Sequence, residues 1–321
     1  MRRLCTAVTF AFAALSGAAA HAAYPERPIT VLVPFPAGGI NDTIARPVLQ
    51  KMGEALSANI VVENRPGASG MIGSSQAARA KPDGYTLLLG AASTMAVVPQ
   101  MNSTAGYDPL KDLTPVGGIA SVASILVTGK RDLYPDLKAL HKAAAAQPNK
   151  LTYGSAGVGT SQHMQMAQYN LERDLKMMHV PYRGGAPAMT DLVGGQIDLM
   201  MEPVATALPQ IRGGKVFPLA ISQAARSPLA PDVPTFEEAG MPRYVASTWF
   251  SLMAPAGTDA AIVETLSAAL IKVLADPDIV KTFSDRGVDP MPLPPAKMDA
   301  YLKEEHALWG KVIKEAGITA Q

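Results

Sequence analysis

Short apolar runs bounded by Gly or Pro alternate along this chain with stretches whose apolar positions recur at helical spacing. Ile29, Val31, Leu32 and Val33 form one such run, the pattern of a strand covered on both faces, and Pro34 stops it. Pro36, Gly38 and Gly39 then permit a tight turn. Asn41 or Asp42 is placed to cap a helix that continues through Ile44, Val48 and Leu49. The design recurs at 151–163, LTYGSAGVGTSQH, where a strand leads into Gly154, Gly157 and Gly159, and the Thr160 and Ser161 hydroxyls stand where a helix should begin.

Between and beyond these turns the pattern predicts strands at 60–63, 85–89, 177–180, 197–201 and 219–221, with helices after residue 70, over 134–146, from Gln162 and over 186–193. Ile119 to Thr128 is apolar and long enough to cross between lobes. Residues 227–243, rich in Pro and acidic side chains, read as an outer loop with a short helix. Residues 247–254 read as a strand near the return crossing, 259–274 as an amphipathic helix, and 297–316 as a closing helix packed on the first lobe. Strand, small-residue loop and helix in alternation predict an α/β fold with mostly parallel sheets flanked by helices, and ligands gather beyond the carboxyl ends of such strands. The expected division is 23–124 and 246–321 in lobe 1 and 125–245 in lobe 2.

The first 22 residues change the picture. Arg2 and Arg3, an apolar run from Leu4 to Leu15 and the small-residue ending Ala20-His21-Ala22 follow the plan of a secretory signal peptide cleaved near Ala22. Cleavage removes the single cysteine, Cys5, and turns the formal net charge of +1 into about −1. That balance argues against a nucleic-acid groove or a polybasic membrane surface. A cysteine-free exported chain of this size depends on its core, and the address reads as bacterial periplasm.

The two glycine turns present free backbone N–H groups backed by helix dipoles, which suits a carboxylate or another small anion. Neither is a nucleotide motif: Gly67, Gly70 and Gly73 lack dinucleotide spacing, and no Gly-Lys-Ser/Thr follows a glycine loop. His163 reads equally as a packing residue and as a ligand contact. His141, His179 and His306 are scattered, so a protein-built metal site is not expected. Arg183 is a solvated loop cation or a lid contact. Glu202 is either a site carboxylate that would repel a second carboxylate and favour an amine, or a surface or hinge carboxylate paired with Arg. Met95, Met200 and Met201 follow strand ends that point toward the cleft, which suits a ligand with a bulky or aromatic body and one or two carboxylates. An exported α/β enzyme is the rival reading, but the sequence holds no G-x-S-x-G elbow, and only Ser155 or Ser161 with His163 offers a nucleophile and base.

PFPAGG followed by Asp42, ENRPGASG at 63–70, KPDGYTLLLG at 81–90, YGSAGVGT at 153–160, HVPYRGGAPA at 179–188, GGQIDLM at 194–200 and PDVPTFEEAG at 231–240 appear in order. As a set, from about Tyr24 to the C-terminus, they closely resemble the Bug (TctC-like) family, the periplasmic solute-binding receptors of tripartite tricarboxylate transporters. The resemblance implies a type II-like periplasmic-binding-protein fold, two lobes hinged by crossing strands and closing on a small carboxylate like a flytrap. It implies a monomer without cofactor that contacts membrane transport components transiently; a sensor partner in the membrane would need the same pocket. Carried over residue by residue, it places Phe35, Ala37, Gly38, Gly39 and Asp42 in the first turn, with Ser93 and Thr94 beside it, and Ser155, Gly159, Thr160 and Ser161 in the second.

Overall fold

The structure, a computed structural model, describes residues 24–102 and 104–319; the segment read as a signal peptide lies outside the described residues. The first elements are β1 (Ile29–Val33), α1 (Ile40–Leu56), β2 (Ile60–Asn64), α2 (Met71–Ala78), β3 (Thr86–Ala91) and, after a π-type turn at Ser93–Val97, α3 (Val98–Met101). The long strand β4 (Leu113–Thr128) leads into α4 (Leu137–Ala146), β5 (Thr152–Ser155), α5 (Ser161–Glu172), β6 (Met178–Pro181), α6 (Gly185–Val193), β7 (Leu199–Pro203), α7 (Val204–Arg212) and β8 (Phe217–Ile221). The chain returns through β9 (Ser247–Pro255) and ends with α8 (Ala260–Leu274), α9 (Pro277–Ser284), β10 (Asp289–Pro290) and α10 (Pro295–Glu315).

Strand order is β2-β1-β3-β9-β4-β7-β5-β6. β1 pairs in parallel with β2 and β3, and β5 pairs in parallel with β6 and β7. β4 joins the two sets. Up to Ala123 it runs antiparallel to β9, and from Ser124 onward it runs antiparallel to β7, with β8 alongside. The sheet is therefore mixed: the parallel strands expected from the α/β alternation flank antiparallel crossing strands.

Both faces of each half are covered, which is why β1 and β3 read as unbroken apolar runs. Ile29, Val31 and Val33 bury against Ile44, Val48 and Leu266 on one face, while Leu32 and Leu88 bury against Met95, Trp249 and Leu302 on the other. Trp249 of β9 is fully buried, and its indole N–H donates to Glu305 of α10 at 2.7 Å, as does Trp309 at 2.8 Å. That shared carboxylate fixes α10 on the first half of the sheet, as the apolar spacing of 297–316 predicts; α10 also meets α5.

Several local expectations differ from what forms. The N-cap of α1 is Gly39, with no side-chain cap, so Asn41 and Asp42 lie inside the first turn. Pro47 sits within α1 and has no N–H for the Thr43 carbonyl, which accepts instead from Arg286 at 3.3 Å. Gly154 belongs to β5, paired with Val180 and Met200, rather than to the turn. Residues 227–243 form turns and bends without a regular helix. The helix α9 lies outside the helices that the pattern predicts, although Asp276 caps it and Pro277 opens it.

Candidate functional site

A cavity of about 630 Å³ lies between the two halves of the sheet. Phe35, Ile40, Asn41, Ser93, Thr248 and Phe250 wall it from one side. From the other come Thr160, Ser161 and Gln162 of the β5–α5 turn, Gly185 and Met189 of α6, and Glu202 and Thr206 where β7 enters α7. Neither α1 nor α5 carries a side-chain cap, whereas α4, α8 and α9, away from the cavity, are capped by Asp136, Asp259 and Asp276. The first-turn N–H groups of α1 and α5 have no intrahelical acceptor. They open on the cavity through Ile40 and Asn41 and through Ser161 and Gln162. Asn41 is buried, and its Oδ1 has no hydrogen-bond partner. Among the described residues no Lys, Arg or His lines the wall.

The residues singled out in the sequence divide into two groups. Phe35, Asn41, Ser93, Thr160, Ser161 and Glu202 meet in the cavity wall. Ala37, Gly38 and Gly39 are exposed outside it, and the Gly38 N–H is already donated to Asp42 at 3.1 Å. Asp42 also accepts from Arg46 at 2.7 Å and from Asn64 at 3.1 Å; the Arg46 bond, above all, holds its pKa down at about 2. Thr94 is fully buried, exchanging hydrogen bonds with the backbone of Ala91 at 3.1 and 3.2 Å.

Ser155, Gly159 and His163 form a scaffold behind the second turn. The Gly159 N–H donates to His163 Nδ1 at 3.1 Å, and His163 stacks on His179 with ring centres 3.8 Å apart. Ser155 Oγ donates to the Gly157 carbonyl at 3.0 Å and meets His179 Nε2 at 2.6 Å. Burial lowers both imidazole pKa values, to about 4 for His163 and about 3 for His179, so the stacked pair is neutral. Ser155 therefore bonds to His179, not His163, and is fully buried behind the wall. Arg183 is exposed and lines a separate cavity of about 580 Å³ with Met101, Gly157 and Tyr182; the 156–160 loop divides the two spaces. A further hollow of about 640 Å³ lies between α1 and β2, lined by Arg46, Gln50, Glu54 and Asn59.

Glu202 is neither a surface group nor paired with Arg. It is 5% exposed, and its carboxylate accepts from Gln162 Nε2 at 2.6 Å and Thr206 Oγ1 at 2.5 Å. Burial raises its pKa to about 7, and the two neutral donors only partly counter that shift. Gln162 is fixed at both ends, since its Oε1 accepts from the Ala156 N–H at 2.8 Å. Sequence reading missed Gln162 and Thr206. The signal available was their position, one beside the named Ser161 and the other one helical turn beyond the acid. Met95, Met200 and Met201 are fully buried in the core, not at the wall, so the apolar surface comes from Phe35, Phe250 and Met189 instead. Among the described residues no three His, Cys, Asp or Glu side chains come together as a metal site, and no helix is long and apolar enough to cross a membrane.

A family model described as tripartite tricarboxylate transporter family receptor matches residues 44–318. Protein BugT of Bordetella pertussis is 35% identical over 315 residues, covering 97% of this chain and 97% of that protein. The R. palustris protein Rpa4515, solved with adipate, superposes with a TM-score of 0.82 at 33% identity over 92% of this chain and 99% of that one. MatC from Rhodopseudomonas palustris, solved with bound malate, superposes at 0.79 with 33% identity over 90% and 100%. The family match takes in every strand from β2 to β10, and the chain therefore belongs to the TctC family of tripartite tricarboxylate transporter receptors, as a periplasmic solute-binding protein of the Bug type.

Proposed function

We propose that the cavity captures a small organic carboxylate and that the loaded protein hands it to the membrane components of a tripartite tricarboxylate transporter without chemical change. The observation that carries this reading is the opening of two uncapped helix N-termini, α1 and α5, onto one cavity whose remaining polar wall is neutral apart from Glu202. Neutral donors bind a carboxylate strongly yet leave no buried fixed cation when the site is empty. The adipate and malate held by two relatives are anions of this class. Ser93 and Asn41 come from one side and Thr160 and Ser161 from the other, so a ligand bridging them favours closure of residues 125–245 onto 24–124 and 246–319. Export through the N-terminal segment, with cleavage near Ala22, completes the assignment.

The exported-enzyme alternative has less support. Ser155 is fully buried, it and its half-buried imidazole partner His179 lie outside the cavity wall, and Ser161, which does line it, has no hydrogen bond to His163 among the described residues. Isothermal titration and thermal melting with adipate, malate, hexanoate and benzoate test the proposal. At least one acid should bind saturably, raise Tm with concentration and be recovered unchanged. Ser161→Ala, which removes a hydroxyl donor to a charged group, should weaken that acid by about 10- to 100-fold. Turnover of the acid, or no binding by any of the four, would overturn the reading.

A further inference from the structure

Among the described residues the cavity wall holds one ionisable group, and it has the sign of the ligand. Glu202 is placed there by β7, whose partner β4 carries no charged residue, and its carboxylate meets only the amide of Gln162 and the hydroxyl of Thr206. The titratable groups on the elements packed around it are engaged elsewhere. On α5, His163 stacks on His179, Tyr169 lies in the core and Glu172 accepts from Gln168; on α6, Asp191 accepts from Tyr182; on α7, Arg212 donates to the Leu229 carbonyl; on α1, Asp42 pairs with Arg46. No cation among the described residues therefore compensates an ionised Glu202, and burial, only partly countered by Thr206 and Gln162, moves its pKa to about 7.

The positive ends of α1 and α5, at most about half an elementary charge each, draw one ligand carboxylate. The uncapped N-termini of α6 and α7 reach the same wall at Gly185 and beside Glu202 itself, so a second carboxylate that seats on them meets Glu202. The geometry points to Glu202 as a proton-linked specificity residue: it takes one proton from solvent when the second carboxylate of a dicarboxylate seats against it, and the two groups then share that proton as a carboxylic acid donating to a carboxylate. The neighbours accommodate this. Thr206 Oγ1 lies 2.5 Å from Glu202 Oε1 and 3.1 Å from the Pro203 carbonyl, so its hydroxyl can turn to Pro203 when Glu202 carries the proton. Gly185, whose absent side chain would stand 3.9 Å from Glu202 Oε1, leaves that oxygen open to the cavity.

The inference rests on the carboxylate-capture reading, and the experiment separates the two. Adipate, hexanoate and 6-aminohexanoate are titrated calorimetrically from pH 6 to 8.5 in buffers of differing ionisation enthalpy, into wild type and Glu202→Gln. Wild type should take up close to no proton with adipate at pH 6 and close to one at pH 8.5, and adipate affinity should fall about tenfold per pH unit above pH 7. Hexanoate should bind without proton uptake. Glu202→Gln keeps an acceptor for Gln162 and supplies an N–H to the ligand. It should therefore bind adipate without proton uptake and, at pH 8.5, at least tenfold more tightly than wild type. Saturable adipate binding with no proton uptake, or a preference for 6-aminohexanoate that grows with pH and is lost in Glu202→Gln, would overturn the inference and leave the capture reading standing. Absence of adipate binding while malate or benzoate binds would overturn the inference alone, and absence of binding by all of these acids would overturn both.

Discussion

Glu202 also imposes a pH dependence on the ligand-free protein, and Glu202→Gln exposes it. An ordinary glutamate titrates near 4.5, and in the folded chain burial raises this one to about 7. A folded-state pKa above the unfolded one means that the native state binds the proton more tightly. The stabilisation is complete below about pH 4.5 and is lost as pH rises through about 7. The difference of about 2.5 units corresponds to roughly 3 kcal/mol, because each unit is worth about 1.4 kcal/mol. Exposure of only 5% leaves little solvent screening to reduce it. Glutamine is neutral throughout and accepts from Gln162 in the same way, so the variant lacks the penalty. Urea unfolding of both proteins at pH 5, 6, 7 and 8 should show Glu202→Gln gaining on wild type by about 2 to 3 kcal/mol across that range, because part of the full effect is already lost by pH 5, with most of the gain between pH 5 and 7. The nearest imidazoles, His163 and His179, stay neutral over this window and cancel in the difference. A difference that stays flat to within about 0.5 kcal/mol would mean that the ionised carboxylate is compensated in the folded protein, and the reasoning would fail.

Three further outcomes follow from the same geometry. Asp42→Asn should cost about 1 kcal/mol at pH 7, after discounting for its half-exposed Arg46 partner. Because the folded pKa of Asp42 is depressed to about 2, that cost should vanish as pH falls from about 4 toward 2 in urea or thermal unfolding. Gly185→Val fills the space beside Gln162 and Glu202, where a Cβ already stands 3.6 to 3.9 Å from their tips; adipate affinity by calorimetry should fall tenfold or more while Tm holds within a few degrees. Asp259→Ala removes the cap of α8, where the carboxylate accepts from the Ala261 N–H at 2.8 Å, and should cost about 1 kcal/mol in urea unfolding without altering acid affinity.

Much of the fold is legible because burial on two faces leaves an unbroken apolar signature in β1 and β3, and because Gly or Pro marks where those strands stop. The crossing strand is legible for the same reason: β4 runs apolar from Ile119 to Thr128, where it passes from one half of the sheet to the other. What pattern does not encode is direction, so the antiparallel β9 and β4 are invisible to an argument from strand and helix alternation. The site is legible in its elements more than in its atoms. Both glycine turns lead to the cavity, but which N–H groups stay free depends on side chains folding back. Asp42 takes the Gly38 amide, His163 takes the Gly159 amide, and neither follows from spacing. Glu202 is a buried acid for a reason the sequence does not display: nothing in its neighbourhood signals that Gln162, from a helix some 40 residues away, completes its shell.

The two helix ends that face the cavity are not equivalent, and the difference bears on how a ligand lies. In α1 the Asp42 carboxylate sits in the first turn with the Arg46 charge one turn further along, a pair whose dipole opposes that of the helix and reduces the positive potential at its end. The first turn of α5 has no acidic residue and no side-chain cap, so its end keeps its full pull on an anion. On the carboxylate-capture proposal the dominant carboxylate of a ligand would therefore be drawn to Ser161 and Gln162, and Gln162 is the residue that also holds Glu202 at 2.6 Å. Anion capture and the buried acid thus share one fixed side chain: a carboxylate settling on α5 raises the negative potential at Glu202 and favours its proton. That coupling needs no movement of the wall, because Gln162 is already tied to the Ala156 N–H. It also explains why an acid is tolerated in a site for acids, since with its proton on Glu202 is one more neutral donor.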